Sequence, residues 1–132
     1  MSLVYLDASA LVKLVVAEPE SNALIELLRD WPDRVSSALS LAEVPRALRH
    51  ARFGTAERHR ARRLLARLAL VDVDRRILAA AAALDPPELR TLDAIHLATA
   101  LTVREDLAAL VTYDRRLATA AERVDLEVLA PA

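Results

Sequence analysis

No cysteine occurs among the 132 residues, which excludes a disulfide framework and any thiolate metal site. Glycine occurs once, at Gly54. Glycine-rich phosphate loops of the GxGxxG or Walker type are therefore excluded, and a helix-rich fold with few tight turns is expected. Only four aromatic residues accompany an apolar content of 55%, so the core must be built from Leu, Val and Ala. The chain opens on no charged-then-apolar leader, and no apolar run approaches about 18 residues. A soluble, cytoplasmic protein with no membrane partner is the expectation. At this length one domain can bury about two thirds of its unfolded surface and fold alone.

The net charge of −1 conceals a segregation. Eight arginines and one acid, Glu57, lie between Arg46 and Arg67, a segment of about +7 against about −8 elsewhere. The segment is either a basic binding surface or the solvated face of two amphipathic helices. Arginine suits bidentate contact with phosphate or carboxylate. Lys13 is the only lysine.

Apolar periodicity orders the chain. Leu3-Val4-Tyr5-Leu6 predicts a buried strand, and the period then changes, with Leu11, Leu14 and Val15 at helical spacing. Leu24, Leu27, Leu28 and Trp31 line a second helix, ended by Trp31-Pro32-Asp33. Residues 34–38 predict a second strand. Ser40 opens a helix in which Pro45 sits uncomfortably, removing a hydrogen bond and threatening a kink. Gly54 separates that helix from another with Ala61, Leu64, Leu65 and Leu68 inward. Residues 70–73 predict a third strand, 75–84 a helix, and Asp85-Pro86-Pro87 a loop. A long helix starts at Thr91, a fourth strand spans 108–112 and ends at Tyr113-Asp114, a helix covers 115–123, and 126–129 forms a fifth strand. Strands alternating with helices predict an α/β fold with a parallel sheet covered on both faces.

Four acids share one kind of position. Asp7 follows the first strand, Glu43 lies in the first turn of the helix after the second, Asp93 opens the long helix, and Asp114 ends the fourth strand. Each has an ordinary structural role available. Asp7 and Asp114 suit N-caps, Asp93 complements a helix dipole, and Ser40-x-x-Glu43 fits a capping box. In a parallel sheet, however, strand ends point the same way, and ligands bind beyond them. Carboxylates gathered there repel, so protonation or a cation must neutralise some of them. A hard divalent cation with oxygen ligands, Mg²⁺ or Mn²⁺, is the natural resident. His50, His59 and His96 are expected to be non-ligands, His96 lying on a helix flank.

The stretches LVYLDASALVKL, SLAEVPRAL, LRTLDAIHLATAL and LVTYDRRLATAA, in that order, resemble the four motifs of PIN-domain ribonucleases. The resemblance is strongest to the VapC-type toxins of bacterial toxin–antitoxin pairs. It covers essentially the whole chain, so residues 1–132 are expected to form one PIN domain. It implies a five-stranded parallel sheet in the order 3-2-1-4-5 and places the family's acids on Asp7, Glu43, Asp93 and Asp114. Polar neighbours of the metal correspond to Ser9 and Thr112. Pro45 departs from the family pattern, which has a helix-compatible residue there. The resemblance also implies an RNA substrate, a VapB-type antitoxin partner and a homodimer. The abundant Leu and Val of the first two helices agree with the last.

On this reading Asp7 and Asp93 hold the principal ion, Asp114 completes the site, and Glu43 orients or deprotonates the attacking water. Arg90, Arg46 and Arg49 are the candidate phosphate contacts. Two other classes remain open: a silent PIN-like interaction module, and a different Mg-dependent phosphotransfer domain. Against the latter, Asp7-Ala8-Ser9 lacks the second acid of a dehalogenase-like phosphatase, and no lysine follows a late strand as a receiver requires.

Overall fold

The computed structural model describes residues 2–132. Strands β1 (Leu3–Leu6), β2 (Asp33–Ser37), β3 (Ala69–Val71), β4 (Leu107–Val111) and β5 (Val128–Leu129) form one sheet. Every pairing is parallel and the order is β3-β2-β1-β4-β5, as the resemblance implies. The order reverses between β1 and β4, making the crevice beyond their carboxyl ends the topological switch point.

Alternation along β1 divides the core. Val4 and Leu6 face helices α1 (Ala8–Val15), α2 (Ser21–Leu28), α3 (Ser40–His50) and α4 (Thr55–Ala66). Tyr5 faces α6 (Thr91–Thr102) and α7 (Arg115–Arg123), and α5 (Arg75–Ala82) packs on α6. All three β1 side chains are fully buried, and burying each apolar one contributes roughly 1.5–3 kcal/mol. The Leu and Val of α1 and α2 are largely consumed by this core: Leu11, Val15, Leu24 and Leu28 are buried, whereas Ile25 is exposed. Helix α6 is enclosed on every side, with all seven residues from Ala94 to Ala100 buried.

Several boundaries differ from expectation. β3 stops at Val71, not Val73, because β2 ends at Ser37 opposite Val71 and Asp72 has no strand partner. β4 runs one residue earlier than expected, so Asp114 lies beyond the strand as the N-cap of α7. α2 ends at Leu28, where the Arg34 side chain takes over the carbonyls of Leu28 and Trp31. α5 ends two residues early, at Ala82, and β5 is only Val128–Leu129.

Pro45 lies inside a continuous α3. Its missing N–H leaves the carbonyl of Leu41 without that bond, on an exposed residue where water can serve. Nor does Gly54 supply the left-handed conformation that closes α3. Arg52 does, with φ 62°, donating its N–H to Arg49 O while Phe53 N–H reaches Leu48 O. This is a Schellman closure with arginine where glycine is usual. α7 closes the same way at Asp125, with φ 64°.

Candidate active site

The site lies at the switch point, and Asp7 is its most enclosed member. It is 4% exposed and caps α1, its Oδ1 accepting from Ala10 N–H at 3.0 Å and from Ser9 Oγ at 2.7 Å. Its Oδ2 accepts from Thr112 Oγ1 at 2.6 Å. Ser9 Oγ in turn accepts from Tyr113 N–H at 3.0 Å, and Thr112 Oγ1 from Asp114 N–H at 3.0 Å. Burial pushes the Asp7 carboxyl above the usual carboxylate range; hydrogen bonds from Thr112, Ser9 and Ala10 pull the other way without cancelling it. Ser9 and Thr112 thus sit directly on this carboxylate and lock the ends of β1 and β4 together.

Asp93, in the first turn of α6, and Asp114 share one cation. Arg90 Nε lies 3.3 Å from Asp93 Oδ2, and its Nη2 lies 3.2 Å from Asp114 Oδ2. Asp114 Oδ1 caps α7 by accepting from Arg116 N–H at 2.9 Å and Leu117 N–H at 3.4 Å. The Asp93 carboxyl is raised by burial and then by the negative charge of Asp114, with Arg90 opposing. The Arg90 guanidinium is pushed up in turn, chiefly by the charge of Asp93.

Glu43 does not form the capping box expected with Ser40. Leu39 is the N-cap of α3, and no side chain caps it. Ser40 Oγ instead meets Ser36 Oγ at 2.8 Å, and Ser36 Oγ donates to Leu6 O at 2.6 Å. These bonds tie the start of α3 to the ends of β1 and β2. The Glu43 side chain is left to reach across the sheet edge, where its Oε1 lies 2.6 Å from His96 Nε2. His96, 2% exposed, sits one turn beyond Asp93 on α6. Its Nδ1 lies 2.7 Å from Tyr5 Oη.

Sequence reasoning places His96 on a helix flank, whereas the structure buries it against Glu43, one of the four acids. A signal existed: Ile95, His96 and Thr99 fill the gaps between the apolar positions 94, 97 and 98. A helix apolar all round is buried, and a histidine inside it must be hydrogen-bonded.

The expected phosphate contacts divide. Arg90 is drawn into the acidic cluster. Arg46 and Arg49 lie exposed on α3 and bond to none of the four acids. Part of the basic segment is structural, since Arg60 Nη1 donates to Val15 O at the end of α1 at 2.7 Å. A cleft of about 540 Å³ adjoins Asp114, between residues 86–89 and α7, and is lined by Arg115, Arg116 and Arg123.

Among the described residues no three His, Cys, Asp or Glu side chains form a ready-made chelating cluster. The donors are nonetheless all oxygen, which fits a hard divalent cation. The guanidinium shared by Asp93 and Asp114 shows that positive charge is accommodated between them. Burial leaves both the Asp7 and the Asp93 carboxyl raised, Asp93 despite the neighbouring guanidinium of Arg90.

No helix among the described residues is long and apolar enough to cross a membrane. The PIN-domain family model matches residues 4–123. Ribonuclease VapC46 of Mycobacterium tuberculosis is 53% identical over 131 residues, covering 99% of each chain. Ribonuclease VapC35 of the same species is 45% identical over 133 residues, 98% of this chain and 97% of the relative. Two solved structures share the fold. FitAcB from Neisseria gonorrhoeae superposes with a TM-score of 0.73 at 20% identity over 97% of each chain. A toxin–antitoxin complex from Klebsiella pneumoniae gives 0.72 at 24% identity over 98% of each chain. With its motifs, its strand order and its near full-length relatives in agreement, this chain belongs to the PIN-domain family and is of the VapC type.

Proposed function

We propose that this chain is a divalent-metal-dependent endoribonuclease and the toxin of a VapBC-type toxin–antitoxin pair, acting in the cytoplasm as one PIN domain over residues 1–132. The observation that carries this reading is the gathering of Asp7, Glu43, Asp93 and Asp114 around the β1/β4 switch point. The ribonuclease names of its relatives support it.

Asp7, Asp93 and Asp114 would hold Mg²⁺ or Mn²⁺. When bound, the cation supplies Lewis acidity to water and to the scissile phosphate. Ser9 and Thr112 keep the Asp7 carboxylate oriented by donating to its two oxygens. Glu43, with one oxygen held by His96, takes a proton from the attacking water on the other. Arg90 is close enough to the carboxylates to exchange them for a phosphate oxygen, and Arg115 and Arg116 extend positive charge along the adjoining cleft. Attack by water leaves a 5′-phosphate and a 3′-hydroxyl.

The antitoxin would be held in the groove between α3 and α4, which has Leu41, Pro45, Ala61 and Leu65 along its floor and Arg58 and Arg62 beside them. A second copy of the chain completes the proposed assembly.

Incubating the purified chain with RNA, with and without Mn²⁺, tests this reading. Cleavage is expected only with metal, to stop on adding EDTA, and to yield 5′-phosphate ends. Cleavage that persists in EDTA, or that leaves 2′,3′-cyclic phosphates, would overturn it. A complete lack of cleavage would favour a silent interaction module.

A further inference from the structure

One buried polar chain has no role in a general account of an acidic metal site: Tyr5, His96 and Glu43. Tyr5 is fully buried and His96 nearly so, and they lie 91 residues apart in sequence. A phenol and an imidazole in a Leu and Ala core cost free energy unless every donor and acceptor is paired. Among the described residues no buried side-chain polar atom lacks a partner, and the Tyr5 phenol meets His96 Nδ1 at 2.7 Å, with the hydroxyls of Thr99 and Ser36 also beside it.

The contact with Glu43 sets the direction of the chain. A phenol carries its proton at neutral pH, so Tyr5 can donate. A carboxylate only accepts, so the proton between Glu43 Oε1 and His96 Nε2, 2.6 Å apart, belongs to Nε2. With that proton on Nε2, the other ring nitrogen, Nδ1, presents its lone pair to Tyr5 Oη at 2.7 Å. The ring orientation is held independently: the Tyr5 and His96 rings meet edge to face at 78° with centroids 5.9 Å apart.

We propose that Tyr5 and His96 are positioning residues that fix the Glu43 carboxylate, pinning Oε1 and leaving Oε2 to face the acidic pocket. The proposal rests on the nuclease reading above and adds two residues to it. Neither touches substrate or metal; they act by removing rotational freedom from Glu43. A glutamate in the first turn of a helix, 20% exposed, would otherwise sample several rotamers and present its proton-accepting oxygen only part of the time.

Three variants and one spectrum test this. Tyr5→Phe keeps the ring and deletes only the hydroxyl that holds Nδ1; kcat should fall about tenfold. His96→Leu removes the donor to Glu43 and should cost about a hundredfold, the range typical of groups that orient a site carboxylate. His96→Gln, whose amide N–H can still donate to Glu43, should recover most of that loss. KM for RNA and the Mn²⁺ dissociation constant should stay within about twofold, which a merely structural role would not leave so. In ¹⁵N-histidine NMR of the wild type, His96 should show an unprotonated Nδ1 and a protonated Nε2.

A wild-type spectrum with the proton on Nδ1 would overturn the proposal, as would wild-type turnover in folded His96→Leu. If His96→Leu does not fold, Tyr5→Phe and the wild-type spectrum still decide. The spectrum requires no RNA cleavage. A fixed Nε2–H tautomer in a protein that cleaves no RNA would therefore sink the nuclease reading and leave the relay standing.

Discussion

Asp7→Asn should reduce RNA cleavage by at least about a thousandfold, roughly 4 kcal/mol of transition-state stabilisation, in a protein that folds as well as the wild type. Folding should survive because asparagine is as good an N-cap as aspartate. Its carbonyl can still accept from Ala10 N–H and Ser9, and its amide can donate to Thr112 once that hydroxyl turns. What is lost is the negative charge that would draw the cation into the most enclosed part of the site. Cleavage at saturating Mn²⁺ that stays within tenfold of wild type would remove Asp7 from the metal set.

The same substitution should separate stability from activity. Burial raises the Asp7 carboxyl in the folded protein above its unfolded value. Between those two values the native state binds more protons than the unfolded one, so stability falls as pH rises. Without metal, wild type should therefore lose ground to Asp7→Asn as pH climbs from the ordinary aspartate range towards neutrality. Asp93, raised in the same direction, is present in both proteins and drops out of the difference to first order. Mn²⁺ should restore the wild type and leave the variant unmoved. The measurement is Tm against pH for both proteins, with and without Mn²⁺. A pH-independent difference between them would contradict this account of the burial penalty.

Glu43→Gln should lower kcat by about 10²–10⁴-fold, the usual range for losing a general base, while Mn²⁺ binding stays close to wild type. Glutamine can still accept the Nε2–H of His96 with its amide oxygen, so the side chain keeps its place and loses only basicity. Single-turnover cleavage and calorimetric Mn²⁺ titration, run on the same preparations, read the two effects separately. Mn²⁺ affinity that falls in step with kcat would make Glu43 a ligand instead of a base. The contrast with Asp7→Asn, which should lose both, is what distinguishes the two roles.

Much of this site was legible in local pattern. The change from strand to helix spacing at Asp7, and the recurrence of acids at later helix starts, needed only periodicity and one assumption, that the sheet is parallel. The pairs that turn four acids into a working arrangement are not local. His96 and Glu43 are 53 residues apart, and Thr112 and Asp7 are 105 apart. No window of periodicity spans them. The Ser40–Glu43 capping box was the locally correct reading, but the tertiary partner of each side chain prevailed: Ser36 took the hydroxyl and His96 took the carboxylate. The sequence places Arg90 three residues before Asp93 but does not show that Asp114, 24 residues away, is its second partner. Folded, Arg90 stands between two carboxylates.

The enclosure of α6 has a consequence for when the site can come apart. Amide protons from Ala94 to Ala100 are shielded by the sheet on one side and by α5 and α7 on the others. Their exchange should follow the global unfolding equilibrium, while the two-residue β5 and the exposed turn of α4 exchange through small local fluctuations. His96 lies within this slowest-opening segment and Asp93 immediately before it. The half of the pocket they contribute should therefore persist until the whole domain unfolds.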